Sequence, residues 1–348
     1  MKENNIIIKL LLPVIVVVLL LISCGKYKAV TGSNTDNGNT TPVDTSNGTG
    51  VTVAGGNGDS DLSTTLANPF GVFVDSVGNI YIADTYNNRI QEWAPGATSG
   101  TTIVGGNGIG TAANQLYYPE GVFVDNAGNI YIADTYNNRI QKWIKSSNTV
   151  ITVAGDSAGA PLQDSAHLNN PAGIFVDGTG NIYIADEFNS RIEEWPADTS
   201  IHYGKSVVGF VGNTQLSAPV AVYLDKTGNI FVSDYGNNRV QEWSADTSVH
   251  GPILVVGNNG YGYGATQFNQ PWGLSVNGNG DIYVCDRFND RIQKFVNGVD
   301  TAVTVAGGNG RGAGPLQFYA ATSIFVDKNG VIYVADTYNN RIQKWVGH

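Results

Sequence analysis

The chain is 348 residues long, with 29 acidic and 19 basic side chains, a net charge of −10 and only two cysteines. That length is ample for a large core. So acidic a balance repels nucleic-acid phosphates and anionic lipid headgroups unless the few cations cluster, and two cysteines exclude a disulfide framework.

The N-terminus comes first in chain order. Lys2 and Lys9 flank the start of an apolar run over 10–22, interrupted only by Pro13. The run is short for a spanning helix, which needs about 20 apolar residues, and has the tripartite form of a signal peptide. It ends in Leu21, Ile22, Ser23 and Cys24, which resembles the lipobox of bacterial lipoproteins. The resemblance implies that residues 1–23 are a signal peptide cleaved after Ser23 and that Cys24 is acylated, diacylglyceryl and palmitate-type chains included. A thiol is the nucleophile that carries a diacylglyceryl group, and a small residue before it suits the peptidase. The implied partner is a membrane, reached through acylated Cys24. The implied location is the extracytoplasmic cell envelope, and Gly25, not Asp, after Cys24 leans towards the outer membrane of a Gram-negative cell. From 24 to 50 the composition turns to Gly, Asn, Thr and Ser. Such a stretch buries too little apolar surface to offset its ordering entropy and reads as a flexible tether.

Residues 51–348 are dominated by one repeat. A unit from Pro69 to Trp93 recurs almost verbatim from Pro119 to Trp143, then with drift from Pro171, Pro219, Pro271 and Ala321. Its marker arginines are Arg89, Arg139, Arg191, Arg239, Arg291 and Arg341, spaced 48 to 52 apart. Within the first unit, residues 71–75 and 80–84 are β-branched or aromatic runs around Gly78, the pattern of a tight hairpin. Residues 84–88 form a second polar turn, and 89–93 alternate as a third strand. A fourth strand is expected between units, for example at 101–105, 150–154 and 302–306. Four short antiparallel strands per unit make a propeller blade. Five fourth strands separate six units, and residues 51–55 supply the sixth. The expected fold is therefore all-β, a six-bladed propeller closed by strand 51–55 pairing into the C-terminal blade, which removes an aggregation-prone edge.

The Pro-x-Gly, Asp-x-x-Gly-Asn-Ile-Tyr and Ala-Asp-x-x-Asn-x-Arg-Ile elements resemble NHL repeats across essentially all of 51–348. Blade six departs from them, with Ala321 and Ser323 replacing the Pro and Gly. Among NHL propellers, some bind RNA through a basic face. Here six of the 15 basic residues of 51–348 are the repeated arginines, so no nucleic-acid partner is expected. Others are enzymes: the amidating lyases hold a zinc on central histidines, and three protein ligands around an open site are the physical minimum. His167, His202, His250 and His348 fall in loops and at the last residue, so no metal and no other cofactor is expected. Cys285 stands where most sister repeats have Ala and reads as a small buried hydrophobe. No nucleophile elbow or Cys/His pair is evident.

Residues present in every blade read as scaffold. The pairs Asp84/Arg89, Asp134/Arg139, Asp186/Arg191, Asp234/Arg239, Asp286/Arg291 and Asp336/Arg341 flank the second turn as ion pairs, and Asp75 reads as a turn residue. Function is sought where the repeats disagree. With the first strand innermost, the residue after the Pro opens that strand at the channel mouth: Phe70, Glu120, Ala172, Val220, Trp272 and Thr322. The residue after the turn Asp is Thr in blades one, two and six, but Glu187, Tyr235 and Arg287 in blades three to five. Aromatic and charged groups of blades two to five thus ring the mouth, a composition suited to a sugar or a peptide side chain. The glycine-rich connections lead to the same face and add Tyr261, Tyr263 and Arg311. The expected function is a lipid-anchored binding module for a glycan, peptide or protein. The alternative is an envelope lyase, lactonase or carbohydrate-active enzyme using a carboxylate pair such as Glu120 and Glu187.

Overall fold

The computed structural model describes residues 48–156, 159–209, 216–246, 248, 251–257, 259–299 and 301–346. All lie in the unit Thr41–His348. The signal peptide, Cys24 and most of the tether lie outside the described residues, as do His250 and His348. The tether expected to run to residue 50 is ordered at its end: the Gly50 N–H donates to Pro315 O at 2.9 Å.

Six four-stranded antiparallel sheets are present, as the strand count requires. Blade one orders Pro69–Val74, Ile80–Asp84, Arg89–Trp93 and Thr101–Gly105 from the channel outwards. Ile80–Asp84 is buried throughout, which is why its β-branched and aromatic residues sit on both faces. The first hairpin is tied by Asp75, whose Oδ1 accepts the N–H groups of Val77 and Asn79, with Gly78 at φ +95°. The second turn is a short 3-10 segment, Thr85–Asn87, closed by Asn88 in the left-handed region at φ 52°.

The repeated ion pair does more than pin that turn. Asp84 is fully buried. Its Oδ1 accepts the Ala67 N–H at 2.7 Å, and its Oδ2 accepts Arg89 Nε at 2.7 Å and Asn87 Nδ2 at 2.9 Å. Arg89 then donates to the carbonyls of Leu62 and Thr65. One carboxylate thus binds the turn, the third strand and the loop entering the blade. The Asp–Arg contact recurs in all six blades at 2.7 or 2.8 Å. The left-handed Asn88 adds a link to the next blade, its Oδ1 accepting the Tyr118 N–H at 2.8 Å. Asn340 does the same for Asn68 across the ring closure.

The apolar core is divided into six clusters, one at each interface between neighbouring blades. No blade has a core of its own, so the ring must close for all six to be covered. Val51–Gly55 closes it, antiparallel to Arg341–Trp345, with Val51 opposite Lys344 and Gly55 opposite Arg341. The glycine of Pro-x-Gly lets inner strands approach: a Cβ on Gly71 would lie 2.3 Å from Glu120 O of the next blade. Cys285 is wholly buried in one of these interfaces, and that burial pushes its thiol up.

Two outcomes test this scaffold. Deleting 48–55 exposes the Arg341–Trp345 edge, so the melting temperature should fall sharply and light scattering on heating should rise. Asp134→Ala strands the buried Arg139 guanidinium and should cost about 3–5 kcal/mol in a denaturant titration.

Candidate binding site at the channel mouth

Two positions of each repeat face the mouth: the residue after the inner-strand Pro and the first residue of the 3-10 turn. In blades one and six the turn begins with a Thr whose hydroxyl fastens adjacent blades. Thr85 Oγ1 donates to Pro119 O at 2.7 Å, and Thr337 Oγ1 to Pro69 O at 2.9 Å. In blade four the Ser233 hydroxyl reaches Pro271 O at 3.0 Å instead. This releases Tyr235, two residues on, from the stapling role.

The divergent side chains converge. The Trp272 ring meets Tyr235 edge-on at 5.2 Å between centroids, and Phe70 at 5.7 Å. The Arg287 guanidinium lies over Trp272 at 4.3 Å and near Phe288 at 4.9 Å. Arg287 is only 7% exposed, and its Nε has no hydrogen-bond partner. Glu120 Oε2 is likewise buried without a partner. Below the mouth the channel holds a cavity of about 250 Å³, lined at its upper end by Phe70, Glu120 and Trp272. Its far end is a ring of Phe73, Phe123, Phe175, Tyr223 and Phe325, neighbouring ring centroids lying 5.0 to 5.3 Å apart. Ser275 completes that row in blade five.

The electrostatics follow from enclosure. Burial, reinforced by the charge of Glu187 and opposed by Arg287, pushes the Glu120 carboxyl up to about 8. Burial also raises Glu187 to about 7, against the pull of Arg287. The phenols of Tyr136 and Tyr235 are raised as well, first by burial. Glu120 adds to the rise of Tyr136, while Arg287 moderates that of Tyr235. Near neutral pH the mouth therefore holds one fixed cation and two carboxyls poised to gain or lose a proton.

Glu120, Glu187, Tyr235, Trp272 and Arg287 are thus brought to one place. Tyr261, Tyr263 and Arg311 lie in the inter-blade loops. Both tyrosines are well exposed. Arg311 pairs with Asp290 at 3.1 Å and stacks on Tyr319 at 4.8 Å. Phe70, placed at the mouth by the sequence but given no binding role, joins this group, and a tyrosine cluster on blades one and two was not anticipated. Tyr86, Tyr117, Tyr118 and Tyr136 contact one another at 5.0 to 5.3 Å, with Tyr86 and Tyr136 about half exposed. The available signals were the aromatic at the second turn position, which recurs in five of the six units, and the Tyr117–Tyr118 pair, which blade two alone carries. Among the described residues, no three His, Cys, Asp or Glu side chains are grouped as metal ligands would be.

The family model for the NHL repeat matches residues 116–143, 216–243, 268–295 and 318–345. The chain carries NHL repeats. The matched NHL stretches contain Glu120, Tyr235, Trp272 and Arg287, while Tyr261, Tyr263 and Arg311 fall outside them. No curated protein matches the sequence. Solved structures share the fold. An auxiliary nutrient binding protein from Bacteroides ovatus is 15% identical at a TM-score of 0.64, covering 86% of this chain and 76% of its own. A virginiamycin B lyase from Staphylococcus aureus is 13% identical at a TM-score of 0.54, with coverages of 83% and 98%. A gluconolactonase from Xanthomonas campestris is 12% identical at a TM-score of 0.56, with coverages of 81% and 87%.

The raised carboxyl of Glu120 has a measurable sign. Between its ordinary value of 4.5 and about 8 the folded state holds a proton that the unfolded state releases. Its contribution to stability is therefore present at low pH and lost as pH rises through 8. Glu120→Gln should be more stable relative to the parent at pH 9 than at pH 5, read from denaturant midpoints at the two pH values.

Proposed function

We propose that the protein is a lipid-anchored, extracytoplasmic binding module whose propeller takes its ligand at the channel mouth of blades two to five. One observation carries the binding role. Buried polar atoms of Glu120 and Arg287 face no partner beside the aromatic surfaces of Trp272, Tyr235 and Phe70, above an apolar-floored cavity. Convergent polar groups on apolar walls are what a small-ligand site requires. The shared fold with an auxiliary nutrient binding protein supports this role. The anchor rests on the run over 10–22 and on Ser23 and Cys24, and the tether would hold the propeller away from the membrane.

A second role is favoured by one feature of the same site. Carboxyls held near 7 and 8 suit general acid–base work at neutral pH. A lyase and a gluconolactonase share the fold. In that case Glu120 and Glu187 would act on a carbohydrate or lactone at the mouth.

A glycan and peptide array probed with the full chain in detergent separates the two. Binding that drops at least tenfold in Trp272→Ala supports the first role. Turnover of a lactone or glycoside panel that disappears in Glu120→Gln supports the second. A ligand whose affinity is unchanged by Trp272→Ala would remove the mouth as its site. For the anchor, a clickable palmitate analogue fed to expressing cells should label the parent and not Cys24→Ser.

A further inference from the structure

The unpartnered groups at the mouth restrict what it can hold. Resting on the binding role proposed above, we infer that the mouth selects a small carboxylated sugar of the uronic-acid class, its acid group on Arg287 and its hydroxyls on Glu120.

Three observations carry this. The six repeated arginines each have a carboxylate at 2.7 or 2.8 Å. Arg287 is as buried as they are, yet no carboxylate among the described residues pairs with it. A buried cation with no carboxylate in direct contact is costly, and an arriving carboxylate supplies that contact. Trp272 and Phe288 take the guanidinium by ring stacking. Its planar edge of N–H groups remains the binding element, and a planar carboxylate matches that edge with parallel hydrogen bonds.

Glu120 Oε2 is the second orphan. A hydroxyl both donates and accepts, so it satisfies this carboxyl whichever protonation state it holds. The rings of Trp272 and Phe70, set edge to face at 75°, offer an apolar corner for the C–H groups of a sugar. Size limits the choice further. A cavity of about 250 Å³ is roughly the liquid volume of eight waters at about 30 Å³ each. The channel below the mouth, which Glu120 and Trp272 line and Arg287 does not, thus has room for part of a small molecule and not for a folded partner.

The charges facing this point come from every blade. They are Glu120 and Tyr136 on blade two, Glu187 on blade three, Tyr235 on blade four, Arg287 on blade five, and Tyr86 and Tyr338 on blades one and six. Tyr86, Tyr136 and Tyr235 stay neutral below pH 9, because burial raises each above an ordinary value near 10. Near pH 6 the glutamates are largely protonated and Arg287 stands as a cation despite the acidic chain. Above pH 8 both carboxylates repel an anion. Affinity for a carboxylated ligand should therefore fall as pH rises.

The test uses the full chain in detergent and titrates D-galacturonate, D-galactose and D-galactosamine by calorimetry at pH 6 and pH 9. The expected result at pH 6 is galacturonate at least tenfold tighter than galactose, with galactosamine weakest. That preference should shrink at least tenfold at pH 9 in the parent, and the shrinkage should be smaller in Glu120→Gln. Arg287→Lys keeps the charge but loses the planar fork, and should lose most of the preference while circular dichroism reports the fold. Galactose binding as tightly as galacturonate in the parent overturns the inference and leaves the binding role standing. So does an unaltered preference in a folded Arg287→Lys. No binding by any of the three sugars, with an array hit still sensitive to Trp272→Ala, overturns the carboxylated sugar alone. No binding in either assay overturns both.

Discussion

A carboxylate buried at the second turn of every blade underlies the whole molecule. Asp84 and its five equivalents are fully desolvated and sit against an arginine at 2.7 or 2.8 Å. Such a pair is not a strong net source of stability, because desolvation offsets much of the attraction. Its value here is connectivity. The same carboxylate also accepts a backbone N–H from the loop that enters the blade, and the arginine donates to carbonyls of that loop. The turn is thereby placed against the inter-blade loop in each of the six units. The first residue of each turn then stands at the channel mouth.

That placement separates two demands on neighbouring residues. The Asp and Arg must remain in every blade, since losing either leaves a buried charge unpaired. The residue directly after the Asp is under no such demand. In blades one and six it fastens the next blade through a threonine hydroxyl. In blades three to five it is Glu187, Tyr235 or Arg287, and in blade four Ser233 takes over the stapling. A rigid ring thus carries a variable, asymmetric rim.

Enclosure gives that rim its chemistry. Glutamates on an exposed turn would remain ordinary acids. Beside the channel, burial raises Glu120 to about 8 and Glu187 to about 7 although a guanidinium is near. Burial outweighs the attraction because Arg287 forms no direct pair with either. Its guanidinium is held on Trp272.

The sequence by itself determined the architecture. Six copies of one strand pattern and an unmatched strand at 51–55 admit a closed ring, and Val51–Gly55 pairs with Arg341–Trp345 as that count requires. Strand alternation and turn chemistry are local, so each repeat states them independently. The mouth positions were legible for a related reason: a repeat aligns equivalent places, and departures mark the rim. What the tertiary structure alone decided is which rim residues meet. Phe70 of blade one reaches Trp272 of blade five, a contact between residues about 200 positions apart in the chain. Tyr261, Tyr263 and Arg311 lie out in the loops, and Arg311 is engaged by Asp290. The tyrosine cluster of blades one and two joins the recurring turn aromatics Tyr86 and Tyr136 to Tyr117 and Tyr118, and only the packing of the two blades brings them together. Burial, and with it the altered acidity of Glu120 and Glu187, arises only when six blades enclose a common axis.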